Sequence, residues 1–336
     1  HLKAQLGNFS PDFELEHKAK IAYEINQLKK ERNAVILGHN YMEPALFHSV
    51  PDYVGDSLGL SRRAAETDKD IIVFCGVHFM AETAKILNPE KTVLIPSLKA
   101  GCSLAESITA ADVRELKARF PGVPVVTYVN TYADVKAESD VCCTSGNAAA
   151  VVESFNTDTV IFLPDEFLAR NVAAETGKHI VFPTQKPNFT TDSTLDYQMV
   201  GWHGRCEVHE KFTVQDIENV RAEYPNVVIL AHPECSPEVV AASDFSGSTN
   251  AMIQYVEEMD AERYLLLTEC AMGDNIAAAN EGKEMLRLCT VRCPHMNRIR
   301  LEDTRDALLH TQYEVNVPED VRVRAYQAVE RMLHIG

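Results

Sequence analysis

Apolar positions along the chain fall into two alternating registers. Residues 14–32 (ELEHKAKIAYEINQLKKER) read as an amphipathic helix. The run that follows, AVILGHN, is short, β-rich and closed by polar residues, which predicts a buried parallel strand feeding a loop. The same event recurs as PVVTYVN at 124–130 and NVVILAHPE at 226–234. Each strand delivers polar side chains at its C-terminal end: His39 and Tyr41, then Tyr128 and Asn130, then His232 and Glu234. In open α/β sheets that is where ligands bind.

The likeness continues downstream. Ser57, Ser145 and Thr249 stand 17 or 18 residues after His39, Tyr128 and His232, each in a small polar step before a helical pattern. Such steps suit N-caps and expose backbone N–H groups to an anion. The helical patterns are LGLSRRAAE, NAAAVVESF and AMIQYVEEM, and strands DIIVFCGV, DTVIFLPD and RYLLLTEC come next. A further strand-like run closes each passage: TVLIPS, HIVFPT and MLRLCT. Each passage ends at a cysteine beside Gly or Pro: Cys102, Cys206 and Cys293.

The pattern predicts one α/β unit repeated three times, with a period of roughly 85–105 residues. The expected fold is α/β, with three pseudo-symmetric αβα domains of short parallel sheets around a central site. The boundaries are 1–110, 111–210 and 211–299, with 300–336 packing back on the first domain. Pro318-Glu319-Asp320 opens a last amphipathic helix, DVRVRAYQAVERML. Residues 185–201 have no clear period and read as a lid loop or a surface excursion.

A chain of 336 residues, 46% hydrophobic and 24% charged, is too long for one ordinary core. No apolar run approaches the roughly 20 residues of a membrane span, and no signal pattern stands at the N-terminus. The expectation is a soluble cytoplasmic protein. A net charge of −17 argues against general nucleic-acid binding. An anionic ligand would then need local donors, which helix N-termini supply.

The chain has nine cysteines, an odd number with irregular spacing, which argues against a secreted disulfide framework. Cys75, inside IIVFC, fits a buried small hydrophobe. Structural zinc favours close pairs of ligands. Cys142 and Cys143 are adjacent, and Cys289-x3-Cys293 is only loosely pair-like. Three separated thiolates at one centre suit a [4Fe–4S] cluster with one iron lacking a protein ligand, which would act as a Lewis acid. Zinc held by three cysteines, or by two with a histidine from His203, His209 or His295, is the alternative. Three buried thiols are the plain one.

Several segments are distinctive: GDSLGLSRRA, FCGVHFMAETAKILNPEKTVLIP with KAGCSLAES, YVNTYADVKAESDVCCTSGNA, GRCEVHEKFT, AHPEC with the later GST, and CPHMNRI. Through them the chain resembles the quinolinate synthase family from about residue 20 to its end. That family is a triangle of three α/β domains. It condenses iminoaspartate with dihydroxyacetone phosphate to quinolinate, phosphate and water, in NAD biosynthesis. The resemblance implies a [4Fe–4S] cluster on Cys102, Cys206 and Cys293 with one open iron, and no ligand role for Cys75, Cys142, Cys143, Cys235, Cys270 or Cys289. Many relatives carry a His-Tyr-Tyr-Gln-like run where this chain has His39-Asn40-Tyr41-Met42. Some carry C-x2-C-x2-C at the third ligand, a run absent here.

The roles expected on this basis are specific. Ser57, Ser145 and Thr249 bind phosphate with neighbouring N–H groups, and His39 assists. Tyr128 and Asn130 orient carboxylates. Glu234 is the general base, His232 a binding or acid group, and Tyr41 a proton carrier near the cluster. Met80 reads as a core residue that gates the site at most. A zinc hydrolase and a non-catalytic iron–sulfur sensor are the competing classes. Contact with the oxidase that makes iminoaspartate fits a substrate that hydrolyses readily.

Overall fold

The computed structural model describes residues 2–7, 10–183, 196–288 and 291–336. Among them, thirteen strands form three sheets whose ladders are all parallel. The first holds β1 (Ala34–His39), β2 (Tyr53–Gly55), β3 (Ile71–Cys75) and β4 (Thr92–Leu94), in the order β2-β1-β3-β4. The second holds β5 (Val125–Tyr128), β6 (Val141–Cys143), β7 (Val160–Leu163), β8 (Ile180–Val181) and β9 (Met199–Val200), in the order β6-β5-β7-β9-β8. The third holds β10 (Val228–Ala231), β11 (Phe245–Ser246), β12 (Arg263–Leu267) and β13 (Glu284–Arg287), in the order β11-β10-β12-β13. The central strands β1, β3, β5 and β7 are buried at every position, as parallel strands covered on both faces should be.

The second unit departs from the expected pattern. HIVFPT supplies only β8, half-buried at the sheet edge. The place taken by β4 and β13 in the other sheets belongs to β9, where Met199 and Val200 are fully buried. Two residues are too few to carry a readable period, so their burial decides the assignment. Of the stretch 185–201, residues 185–195 lie outside the described residues.

Two repeated devices fix the units. Asp52, Asp140 and Asp244 each precede an edge strand and accept the first strand's N–H, from Ile36 (2.9 Å), Val125 (2.8 Å) and Ile229 (2.8 Å). Each cysteine Cys102, Cys206 and Cys293 also opens a cassette. A single 3-10 turn follows (Ala105–Ser107, His209–Lys211, Met296–Arg298), then an N-cap (Thr109, Thr213, Arg300), then a helix (Ala110–Arg119, Val214–Glu223, Leu301–His310). The cap is the seventh residue after the cysteine in all three. The tenth is an aspartate, Asp112, Asp216 or Asp303, that accepts the cap's N–H.

The helix Leu301–His310 lies on the helix Asp12–Glu31. The last helix, Glu319–Leu333, lies on the helices Ala133–Ala137 and His78–Leu87 and on β6, so the C-terminal segment touches both the first and second units. Among the described residues, no helix is long and apolar enough to cross a membrane.

Candidate functional site

The C-terminal ends of β1, β5 and β10 converge on one cavity with about 760 Å³ of open space, mouth included. The cavity is lined from the first unit by His39, Tyr41, Ser57 and Cys102, and from the second by Tyr128, Asn130, Ser145 and Cys206. The third unit adds His232, Glu234, Thr249 and Cys293. The twelve residues given catalytic, binding or cluster-ligand roles from the sequence therefore all reach this one space, whereas His203 does not. Met80 also lines it, nearly fully buried.

His39 and His232 are held alike. The Nδ1 of each accepts a backbone N–H two residues on, from Tyr41 and Glu234 respectively, both at 3.3 Å. That contact leaves the ring proton on Nε2, the other side of the ring. Burial lowers the pKa of His39 to about 4 against the opposing pull of Glu234. Burial, with help from His209 and His39 and against Glu234, lowers His232 to about 3. Both are neutral donors at ordinary pH. His232 Nε2 lies 3.3 Å from Ser145 Oγ.

Glu234 is the hub. It is 3% exposed, its Oε2 lies 2.6 Å from His209 Nδ1, and its Oε1 accepts from Asn130 Nδ2 at 3.2 Å. Burial alone would raise its pKa. The charge and hydrogen bond of His209, then His232 and the Tyr128 hydroxyl, outweigh burial and bring it to about 2. Tyr41 and Tyr128 are pushed well above the usual tyrosine value, chiefly by burial and then by Glu234. Tyr41 Oη lies 2.5 Å from Thr268 Oγ1, and Thr268 Oγ1 lies 3.0 Å from His209 Nε2. A continuous chain of polar contacts thus runs from Tyr41 through Thr268 and His209 to Glu234.

His209 and Thr268 are absent from the sequence-based assignment of roles, where His209 figures only as a zinc ligand. The cassette held the signal: the third residue after the cysteine is Ala105, His209 or Met296, and only the second unit makes it polar.

The hydroxyls Ser57 and Thr249 each stand one residue after the side-chain cap of their helix, and Ser145 stands two residues before Asn147, which precedes its helix. Asp56 caps the helix Ser57–Glu66 and Ser248 caps Thr249–Glu258, each accepting a helix N–H. Asn147 precedes Ala148–Glu153 and spends its Oδ1 on the N–H of Thr144 (2.7 Å). Ser57, Ser145 and Thr249 are thereby freed from capping. Asn40 donates to Thr249 Oγ1 at 2.9 Å, which turns the threonine proton away from that contact.

Each sulfur of the trio meets the same backbone pattern, and Cys206 Sγ also lies 3.2 Å from His209 Nδ1. The backbone N–H groups two and three residues on point at it: Leu104 and Ala105 at Cys102, Val208 and His209 at Cys206, His295 and Met296 at Cys293. Donors of this kind stabilise thiolate. Burial nevertheless pushes Cys102 up to about 12, Cys206 well above the usual range and Cys293 to about 11. Thiolates in such a place need a bound cation, so the donor set fits a thiolate-ligated metal group. A second candidate grouping, Cys206, His209 and Glu234, has ligand atoms within 4.8 Å of one another. The three histidines considered for zinc are all beside carboxylates: His209 with Glu234, His295 with Glu207 at 3.2 Å, and His203 with Glu166 at 3.2 Å. Cys75, Cys142, Cys143 and Cys235 are buried and do not line the cavity. Cys289 lies outside the described residues.

Residues 23–334 match a family described as Quinolinate synthetase A protein. The chain is 55% identical over 311 residues to Quinolinate synthase 2 of Mesorhizobium japonicum, covering 93% of this chain and 90% of that protein. It is 53% identical over 335 residues to Quinolinate synthase of Sinorhizobium fredii, covering 100% and 88%. With Quinolinate synthase of Caulobacter vibrioides the identity is 53% over 322 residues, covering 95% and 82%.

Proposed function

The chain belongs to the quinolinate synthase family and is therefore an enzyme of NAD biosynthesis, and on that premise we propose how its residues divide the work. The reaction is condensation of iminoaspartate with dihydroxyacetone phosphate to quinolinate, phosphate and water. One observation carries the reading: three cysteines, one from each repeat and each with two N–H groups on its sulfur, line the cavity that collects the polar strand ends.

The family carries a [4Fe–4S] cluster. Held here by Cys102, Cys206 and Cys293, it would supply a Lewis acid through one iron without a protein ligand.

The phosphate of the ketose substrate lies against Ser57, Ser145 and Thr249 and the N–H groups beside them. His39 and His232 add Nε2–H donors without adding charge. This is how a chain of net charge −17 holds a phosphate with few basic groups. Tyr128 and Asn130 orient the carboxylates of iminoaspartate. Glu234 takes the proton from the carbon next to the carbonyl, which starts the ketose-to-aldose shift. Its low pKa makes it a weak base in the empty site. Two anionic substrates beside it raise that value, since like charge disfavours ionisation. His209 keeps the carboxylate aimed. Tyr41, through Thr268, carries a proton to the hydroxyl that leaves as water. Burial of the whole set excludes bulk water and protects the imine.

We further propose domains at 1–110, 111–210 and 211–299, with 300–336 returning to the first while its last helix also meets the second. The site of action is cytoplasmic, without nucleic-acid or membrane partner, and with transient contact to the oxidase that supplies iminoaspartate.

The test is iron, zinc and acid-labile sulfide per chain after anaerobic purification, followed by a quinolinate assay. The expected result is about four iron and four sulfide with turnover. One zinc without sulfide overturns the reading in favour of a zinc hydrolase.

A further inference from the structure

In the first two repeats the cysteine loop docks on the start of the helix that follows the sheet's third strand in chain order, β3 or β7; the equivalent helix of the third repeat follows β12. His78 N–H donates to Ala100 O and Glu166 N–H to Gly204 O, both at 2.7 Å, and each carbonyl lies two residues before a ligand cysteine. The cap residues at these helix starts are Val77, Asp165 and Glu269. Val77 offers no side-chain acceptor. Asp165 Oδ1 accepts from Leu168 N at 2.7 Å and Glu269 Oε2 from Ala271 N at 2.6 Å. The same carboxyls face the backbone N–H of a ligand cysteine, Asp165 toward Cys206 and Glu269 toward Cys293.

Both acids are buried, at 0% and 1% exposure, and each keeps one oxygen without a partner, Asp165 Oδ2 and Glu269 Oε1. A buried unmet acceptor costs folding free energy. A serine, as at Ser236 and Ser248, caps a helix without burying a second oxygen. Capping alone therefore does not account for two buried carboxyls at equivalent places. Their shared feature is the N–H of the ligand cysteine.

We propose that Asp165 and Glu269 are positioning residues for the cluster, holding the main chain of Cys206 and Cys293 so that both sulfurs face the cavity together with Cys102. This rests on the cluster assignment given above. The two acids differ by one methylene yet serve equivalent positions, so aspartate is expected to work at 269.

The experiment compares Asp165→Ser, Glu269→Ser and Glu269→Asp with the parent chain after anaerobic reconstitution. Readouts are iron and sulfide per chain, the electron paramagnetic resonance spectrum of the reduced cluster, the rate of iron loss to a chelator, and circular dichroism for the fold. The serine variants keep a helix cap and are expected to fold. Their iron loss should be at least tenfold faster, with an altered resonance spectrum, and Glu269→Asp should restore the parent values. Serine variants that load and hold the cluster like the parent overturn the proposal. So does loss of the fold in both serine variants, which makes the carboxyls structural. A parent chain that takes up no sulfide fails the cluster assignment itself, a result distinct from either.

Discussion

His209 Nδ1 lies 2.6 Å from Glu234 Oε2, with both side chains almost completely buried. The two come from different places in the repeat, a cysteine cassette and a strand end, and meet only because the third sheet and the loop before it share a wall of the cavity. The contact keeps Glu234 ionised in spite of burial.

Glu234→Gln is expected to cut quinolinate formation by a factor of about 10² to 10⁴, the usual worth of a positioned acid or base. Iron and sulfide per chain should stay at the parent level. Steady-state assay beside metal analysis checks both; normal turnover in this variant rules out the base assignment.

Cysteine substitutions should split cleanly. Cys206→Ala loses cluster and activity together, because a buried donor set loses one sulfur. Cys235 is fully buried and donates from Sγ to Leu267 O at 3.5 Å. Cys235→Ala is expected to keep both properties at a cost of about 1 kcal/mol in stability. A colourless but active Cys206→Ala protein contradicts the ligand assignment.

Thr249→Val removes a hydroxyl whose oxygen is already engaged by Asn40. The KM for dihydroxyacetone phosphate should rise about tenfold, near 1.4 kcal/mol for one lost hydrogen bond to an anion. The KM for iminoaspartate should change little. Equal weakening of both substrates would place the phosphate elsewhere.

Acid should weaken the fold through His232. Its pKa is lowered, first by burial, to about 3, while an unfolded histidine titrates near 6.5. Between those values the unfolded chain binds the extra proton. Stability from this group is intact above about pH 6.5 and falls with pH by up to about 1.4 kcal/mol per unit. His232→Gln should therefore lose less stability than the parent between pH 7 and pH 5. Anaerobic urea unfolding at both pH values measures it, and parallel losses would show that His232 does not titrate as described.

Much of this was legible in the chain itself. The triple recurrence of a buried strand ending in polar residues, a small polar step and a terminal cysteine fixed the parallel α/β repeat. It also marked His39, Tyr128, Glu234 and the three cysteines, because buried parallel strands need unbroken aliphatic runs and their ends are where polar groups become visible. Tertiary structure decided the rest. Met199 and Val200 form a strand only because a central place in the second sheet buries them. Asp56 and Ser248, not Ser57 and Thr249, cap their helices, since local backbone geometry chooses between neighbouring capping residues. His209 and Thr268 join the site through contacts 25 to 227 residues apart in sequence. No local pattern records such meetings, because burial and electrostatics between distant side chains arise only once the three units close around one cavity.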